Sequence, residues 1–220
     1  MNYTLFLSGS IIEYCTTFVF MFALFRFPLK GILMQIIIIA FMMSHFSYIT
    51  RHFTEINSYS SYLQLLLLII VTWGLFRVPL FYSFIMNGAG FISLFAAQGI
   101  TIFVIVLTGT SFSHITRDPE IIFSTQLLSG LILVSVSRFI VMKNWGFDYV
   151  PASHRSYIEF NRTNSALFSV IASSIVIALV AGIALRGNLE KYIVVAGTTF
   201  LCSIPVFLYY SRRKDVEDAR

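Results

Sequence analysis

Charge is scarce in this chain. Its 220 residues include 15 Lys and Arg and 10 Asp and Glu, so 11% are charged against 57% hydrophobic. Soluble domains carry about 25% charged residues, and a surface this poor in charge would not stay in water. Cysteine is scarce too. Cys15 and Cys202 both fall within apolar runs, with no disulfide framework and no metal-ligand spacing around them. Glycine-rich phosphate loops, GxSxG and HExxH patterns are missing, and no apolar run holds paired Glu or paired Asp. These absences exclude the common nucleotide-binding, hydrolytic and intramembrane-protease chemistries. The sequence therefore predicts a protein that is not an enzyme and uses no cofactor or metal. His45 and His52 lie seven apart near one boundary, but without a third nearby ligand pattern they do not make a zinc motif. No basic region precedes the first apolar run and no small-residue cleavage site follows it, so that run is expected to remain a span.

What the chain has instead is seven long apolar runs, roughly Leu5–Phe25, Gly31–Ile49, Ser60–Phe76, Phe91–Thr108, Ile121–Met142, Ala166–Leu185 and Tyr192–Tyr210. At ~1.5 Å per residue each is long enough, or nearly so, to cross a ~30 Å hydrocarbon core. Lipid offers the backbone no partners, so such spans must be helices. The predicted fold class is all-α, a polytopic integral membrane helix bundle. Residues 1–211 form a single bundle and residues 212–220 a cytoplasmic tail. The formal net charge of +5 does not point to nucleic acid, because the basic residues sit in alternate gaps between the runs. With the amino terminus outside, the inner side holds Arg26, Lys30, Arg77, Arg138, Lys143, Arg155, Arg162, Arg212, Arg213, Lys214 and Arg220, which is eleven, and the outer side Arg51, Arg117, Arg186 and Lys191, which is four. Short loops rich in Lys and Arg stay in the cytoplasm, which predicts seven transmembrane helices, an outside amino terminus and a cytoplasmic carboxyl terminus. The Phe- and Ile-rich composition suits a bacterial plasma membrane, with membrane lipid as the constant partner.

Val78–Thr108 is ~45 Å long if helical, more than one upright span needs. Reading it as two spans would move the charge count to six inside and nine outside, so a single crossing is expected. Asn87-Gly88-Ala89-Gly90 offers a break, which predicts an interfacial helix at Pro79–Met86 and a crossing at Phe91–Thr108. Just before it, Leu75-Phe76-Arg77-Val78-Pro79-Leu80 repeats Leu24-Phe25-Arg26-Phe27-Pro28-Leu29 at five of six positions. Either an ancient helical-hairpin duplication or convergent punctuation explains the echo: Arg reaches the interface while Pro ends one helix and opens the next.

Polar groups inside the runs are costly and therefore informative. Glu13 is the one acidic residue well inside a run, ~20 Å along the helix from Arg26. It needs a partner, and Gln35, His45 and Gln126 are the candidates. Gln35, Gln64, Gln98 and Gln126 occur one to each of four consecutive runs, as amides that bond across helix interfaces do. Gln126, Gly130, Val134 and Arg138 share one helix face, Ser174, Ala178 and Gly182 form a small-residue ridge, and Pro205 should kink the last span.

The outer loops, Ile49–Ser58 and Gly109–Glu120, mix aromatic groups with charges of both signs, which suits a mixed polar and apolar ligand. The candidate ligand-binding residues are Glu13, His45, Arg51, His52, Glu55 and Arg117. The inner loop Lys143–Ser165 brings Trp145, Phe147 and Tyr149 together with Arg155 and Arg162, a pattern expected to lie on lipid headgroups. A nearly loopless set of spans, the Pro-led Arg77–Tyr82, the Lys143–Pro151 inner loop and a basic-acidic exit after Ser211 together resemble a known family. That family is the membrane half of bacterial histidine kinases that sense secreted peptides, the accessory-gene-regulator receptors. The resemblance covers most of the chain in architecture, without a residue motif. It implies an extracellular peptide or small amphipathic ligand and a cytoplasmic or membrane signalling partner. The family's kinase region has no counterpart in these 220 residues, so the resemblance implies a sensor that hands its signal on. A small solute-transport subunit, docking on an energising partner, fits the size and the Gln set about as well. A structural or assembly role is the third reading.

Overall fold

The structure, a computed structural model, describes residues 3–29, 31–52, 59–115, 118–151, 161–185 and 188–218. They form eight helical segments in the order α1 (Tyr3–Leu24), α2 (Leu33–His52), α3 (Ser60–Leu75), α4 (Leu80–Leu107), α5 (Phe112–Ile115), α6 (Pro119–Lys143), α7 (Arg162–Ala184) and α8 (Leu189–Asp218). There is no strand among the described residues. Six of the helices, all but α3 and the four-residue α5, are long and apolar enough to cross a membrane, while α3 is apolar but has 16 residues. The chain is an all-helical bundle of the kind a multi-pass membrane protein forms.

The distribution of exposure fits hydrocarbon rather than water. In α2 the buried face carries Ile36, Ile39, Ala40 and Met43, yet the opposite face carries Met34, Ile37, Ile38, Phe41 and Met42, each at least half exposed. Both faces are apolar, and only lipid tolerates the outer one. Inside, α1 and α4 form the centre: α1 packs on α2, α4 and α6, and α4 on α1, α3, α6, α7 and α8. Phe18, Met21 and Phe22 of α1 and Phe25 just past its end are nearly inaccessible, as are Ile85 and Met86 of α4, Ile171 of α7 and Phe200 of α8.

The expected break at Asn87–Gly90 does not occur. Helix α4 is continuous over 28 residues, so the separate interfacial helix at Pro79–Met86 is corrected to the first turns of one long helix. Packing overrides local propensity here. A Cβ on Gly88 would stand 2.3 Å from Ile171 Cγ2, and one on Gly90 3.3 Å from Thr17 Cγ2, so the bare backbone lets α7 and α1 approach closely. Asn87, instead of breaking the helix, donates from Nδ2 to Thr72 Oγ1 at 2.9 Å and to the Ser83 carbonyl at 2.8 Å.

The echo has a structural counterpart. Helices α1 and α3 end at the matched residues Leu24 and Leu75, and the Arg two positions on is left-handed in both, with φ 50° at Arg26 and 57° at Arg77. L-residues adopt this conformation at a cost of roughly 1–2 kcal/mol, so two such stops at matched positions are a specific device. The copies then diverge: Pro79 directly caps α4, whereas α2 begins at Leu33, five residues after Pro28.

The inner loop also differs from expectation. Trp145 is 64% exposed, as a headgroup anchor should be, but Phe147, Tyr149 and Val150 are buried in the bundle. The Phe147 and Tyr149 rings meet Phe25, and Phe147 also meets Phe207. The loop can enter because its backbone is satisfied. Phe147 N donates to the Leu24 carbonyl at 2.7 Å, and Asp215 Oδ1 accepts from Asp148 N and Tyr149 N at 2.8 and 3.1 Å. Arg26 pairs with Asp148 and donates to the Asn144 carbonyl. Burial pushes the Tyr149 phenol well up, so it remains a neutral hydroxyl facing Ser211 Oγ at 3.0 Å. Helix α8 runs on through Pro205 to Asp218, and Thr163 of α7 donates to Glu217 near its end.

Candidate functional site

At the end of the bundle away from that loop, a cavity of about 320 Å3 opens between α1, α3, α4 and α6, with Arg51 at the end of α2 and Ile115 of α5 also lining it. Its walls are apolar, built from Phe18, Met21, Leu65, Phe91, Phe95 and Ile122. Set among them is the Glu13 carboxylate. Gln98 Nε2 of α4 donates to Glu13 Oε1 at 2.8 Å and Gln126 Nε2 of α6 donates to Glu13 Oε2 at 2.9 Å. One carboxylate thus joins three helices. A carboxylate offers about four acceptor positions, so the two amides leave it capacity for a further donor.

A second polar chain borders the first. Tyr14, next to Glu13, donates to Gln64 Oε1 of α3 at 2.8 Å. The other end of that amide, Gln64 Nε2, donates to Ser47 Oγ of α2 at 2.9 Å and to Ser60 Oγ at 2.7 Å, and Ser60 Oγ lies 2.8 Å from Thr50 Oγ1. Tyr14, Gln64, Ser47, Thr50 and Ser60 are all buried. Tyr14, Gln64, Gln98 and Gln126 line the cavity together with Glu13, so its polar surface is held in place from behind by bonds running through five helices.

Of the residues singled out in the sequence, the structure brings Glu13 and Arg51 to the same cavity. Arg51 is exposed and lies 5.3 Å over the Phe6 ring. His45 is elsewhere, outside the lining. Its Nδ1 donates to the Phe41 carbonyl at 2.9 Å, which leaves Nε2 to accept the Tyr3 hydroxyl at 2.9 Å. Glu55, Arg117 and the side chain of His52 lie outside the described residues. Of the three partners expected for Glu13, Gln126 is one, whereas Gln35 is exposed and His45 belongs to Tyr3. Gln98 was visible as an intramembrane amide but not as a partner, because helix periodicity gives a face and not the depth at which two helices register. Cys15 is half-buried, Cys202 is exposed, and among the described residues no three His, Cys, Asp or Glu side chains gather. The cavity has the geometry to hold a ligand and orient it, with a carboxylate, the Arg51 guanidinium and several neutral polar side chains on a mainly apolar surface.

Comparison of the chain with known protein families, with curated proteins and with solved structures finds no match in any of the three.

Proposed function

We propose that this chain is a non-enzymatic membrane receptor: it binds a peptide or other small amphipathic ligand from outside and passes a conformational signal to a cytoplasmic or membrane partner. In this reading seven helices cross a bacterial plasma membrane, α3 included, with the amino terminus outside. The single observation that carries the proposal is the Glu13 carboxylate held by Gln98 and Gln126 in a mainly apolar cavity at the end away from the basic loops. Intramembrane acids are costly and are kept for binding or transport. Apolar walls with a few fixed polar groups are what an amphipathic ligand requires.

A route to the other end supports the signalling half. Glu13 and Arg26 belong to one helix and its stop, ~20 Å apart. Arg26 holds Asp148 of the buried loop, and Asp215 of α8 holds the backbone of that same loop. A ligand that shifts α1 relative to α4 and α6 therefore acts on the carboxyl-terminal part of α8 through fixed polar contacts, and binding energy alone selects between the two arrangements.

The test is a thermal-unfolding screen of the purified protein in lipid nanodiscs against short amphipathic peptides. A binding peptide is expected to raise the midpoint of the wild type and to lose most of that shift with Glu13→Gln, which places an amide where both Gln donors need an acceptor. A variant as stable and as responsive as the wild type would make Glu13 a packing residue. Directional uptake of a solute by the protein alone in liposomes would replace the receptor reading with transport.

A further inference from the structure

Helices α6 and α8 both pack on α4, from either side, and meet each other little. Between them lies a second cavity of about 400 Å3, separate from the one at Glu13 and almost wholly apolar. Its floor is α4, where Ser93, Ala96 and Ala97 keep the side chains short; its walls are Val136 and Ile140 of α6 and Ile204 and Leu208 of α8. The floor from Ala89 to Ile100 is ~17 Å long, about the depth of one leaflet of a ~30 Å hydrocarbon core.

One end of this groove is marked by groups of a different kind. Trp145 lines it, exposed, with its ring edge-on to Phe139 at 5.3 Å between centroids. Lys143 follows Val136 and Ile140 at spacings of seven and three, and Arg212 follows Ile204 and Leu208 at eight and four, so each base continues the helix face that forms a wall. Both are exposed. Neither belongs to the ion pairs present among the described residues, which are Arg26–Asp148, Arg213–Glu217 and Lys214–Asp218.

We propose that this groove is a binding site for one anionic phospholipid, its acyl chain lying along α4 between α6 and α8 and its phosphate between Lys143 and Arg212. An empty groove would forfeit the dispersion contacts of its lining, and fluid hydrocarbon fills it without cost to any polar group. Two exposed bases that join none of those ion pairs, beside an interfacial Trp, match an anionic headgroup at the end of such a chain. A second copy of this chain fits less well. A helix with side chains is about 10–12 Å wide, and a symmetric pair would set Lys143 and Arg212 against like charges. The inference rests on the chain lying in a membrane and is independent of its being a receptor.

Native mass spectrometry of the purified protein, offered equal amounts of palmitoyl-oleoyl phosphatidylglycerol and phosphatidylcholine, tests it. The wild type is expected to retain phosphatidylglycerol in several-fold excess. Lys143→Gln with Arg212→Gln, both at exposed positions, is expected to bring that ratio close to one while some lipid still binds. Ser93→Phe, which fills the floor, is expected to lower retention of both lipids. Equal retention by the wild type, an unchanged ratio in the double variant, or a homodimer that carries no lipid would each overturn the proposal.

Discussion

Glu13 owes its geometry as much to a missing side chain as to the amides that hold it. Gly9 lies one turn before it in α1, and a Cβ there would stand 2.0 Å from Gln126 Oε1. That oxygen is buried and has no hydrogen-bond partner among the described residues, so the Gln126 amide is placed by Glu13 on one side and by the bare backbone of Gly9 on the other. Gly9→Ala should push the amide off Glu13 while leaving the Gln98 bond in place. The expected cost is about 1 kcal/mol for one intramembrane hydrogen bond, with a further ~1–3 kcal/mol for crowding if the helices cannot part. Gln126→Ala removes the same contact. Unfolding of the two single variants and their double in detergent should therefore show clear non-additivity, by at least about 0.5 kcal/mol. Strict additivity would mean that Gly9 and Gln126 do not act through one contact. In the sequence, Glu13 stood out because an acid in an apolar run has so few explanations, and Gln126 could be nominated beside it. The Tyr14–Gln64–Ser47 chain could not be read in the same way. Tyr and Ser are common in spans, and only the packed depth of α1, α2 and α3 joins them.

Elements were legible where composition alone decides and illegible where packing does. All seven apolar runs are helices, and both Arg-containing stops fall at the matched positions of the echo. The glycines of α4 misled because propensity speaks for an isolated helix, whereas Gly88 and Gly90 here admit Ile171 and Thr17. The inner loop misled for a related reason. Aromatic and basic residues side by side suit a headgroup layer, but they suit equally a segment that turns its rings inward once its backbone is satisfied. Asp215 provides much of that satisfaction. Asp215→Ala would leave the Asp148 and Tyr149 amides without their acceptor, at about 1 kcal/mol, most of it for the part-buried Tyr149 donor. Hydrogen exchange at those two amides should accelerate markedly in the variant while the α1 and α4 amides stay protected. Unchanged exchange at 148 and 149 would show that the loop is held by its rings alone, and would break the proposed link between α1 and α8.

For the whole molecule, the decisive element is the shortest of the long apolar helices. At 16 residues α3 spans ~24 Å, less than a ~30 Å core, yet its neighbours fix its course. Gln64 near its start meets Tyr14, Thr72 meets Asn87, and Phe76 just past its end packs on Phe18 and Phe22 of α1. Helix α3 therefore runs beside α1 in the same direction, from the cavity end towards the end where both Arg-containing stops lie. In the proposed seven-span topology α3 crosses the membrane alongside α1, with local thinning or the flanking Tyr59 and Arg77 making up the difference in length. Because α4 is one unbroken helix, it returns the chain once and not twice. The proposed topology then expects Arg77 and Arg213 to share a side and Glu120 and Glu190 to share the other. Single cysteines at these four exposed positions, in a Cys15→Ser, Cys202→Ser background, report it directly. A membrane-impermeant maleimide on intact cells should label the cysteines at 120 and 190, and reach those at 77 and 213 only after permeabilisation. Labelling of 77 and 213 from opposite sides would remove one of the helices between them, α4, α6, α7 or α8, from the set of single crossings. Labelling of all four in the reverse sense would turn the molecule over, placing the Glu13 cavity towards the cytoplasm and ending the case for a ligand that arrives from outside.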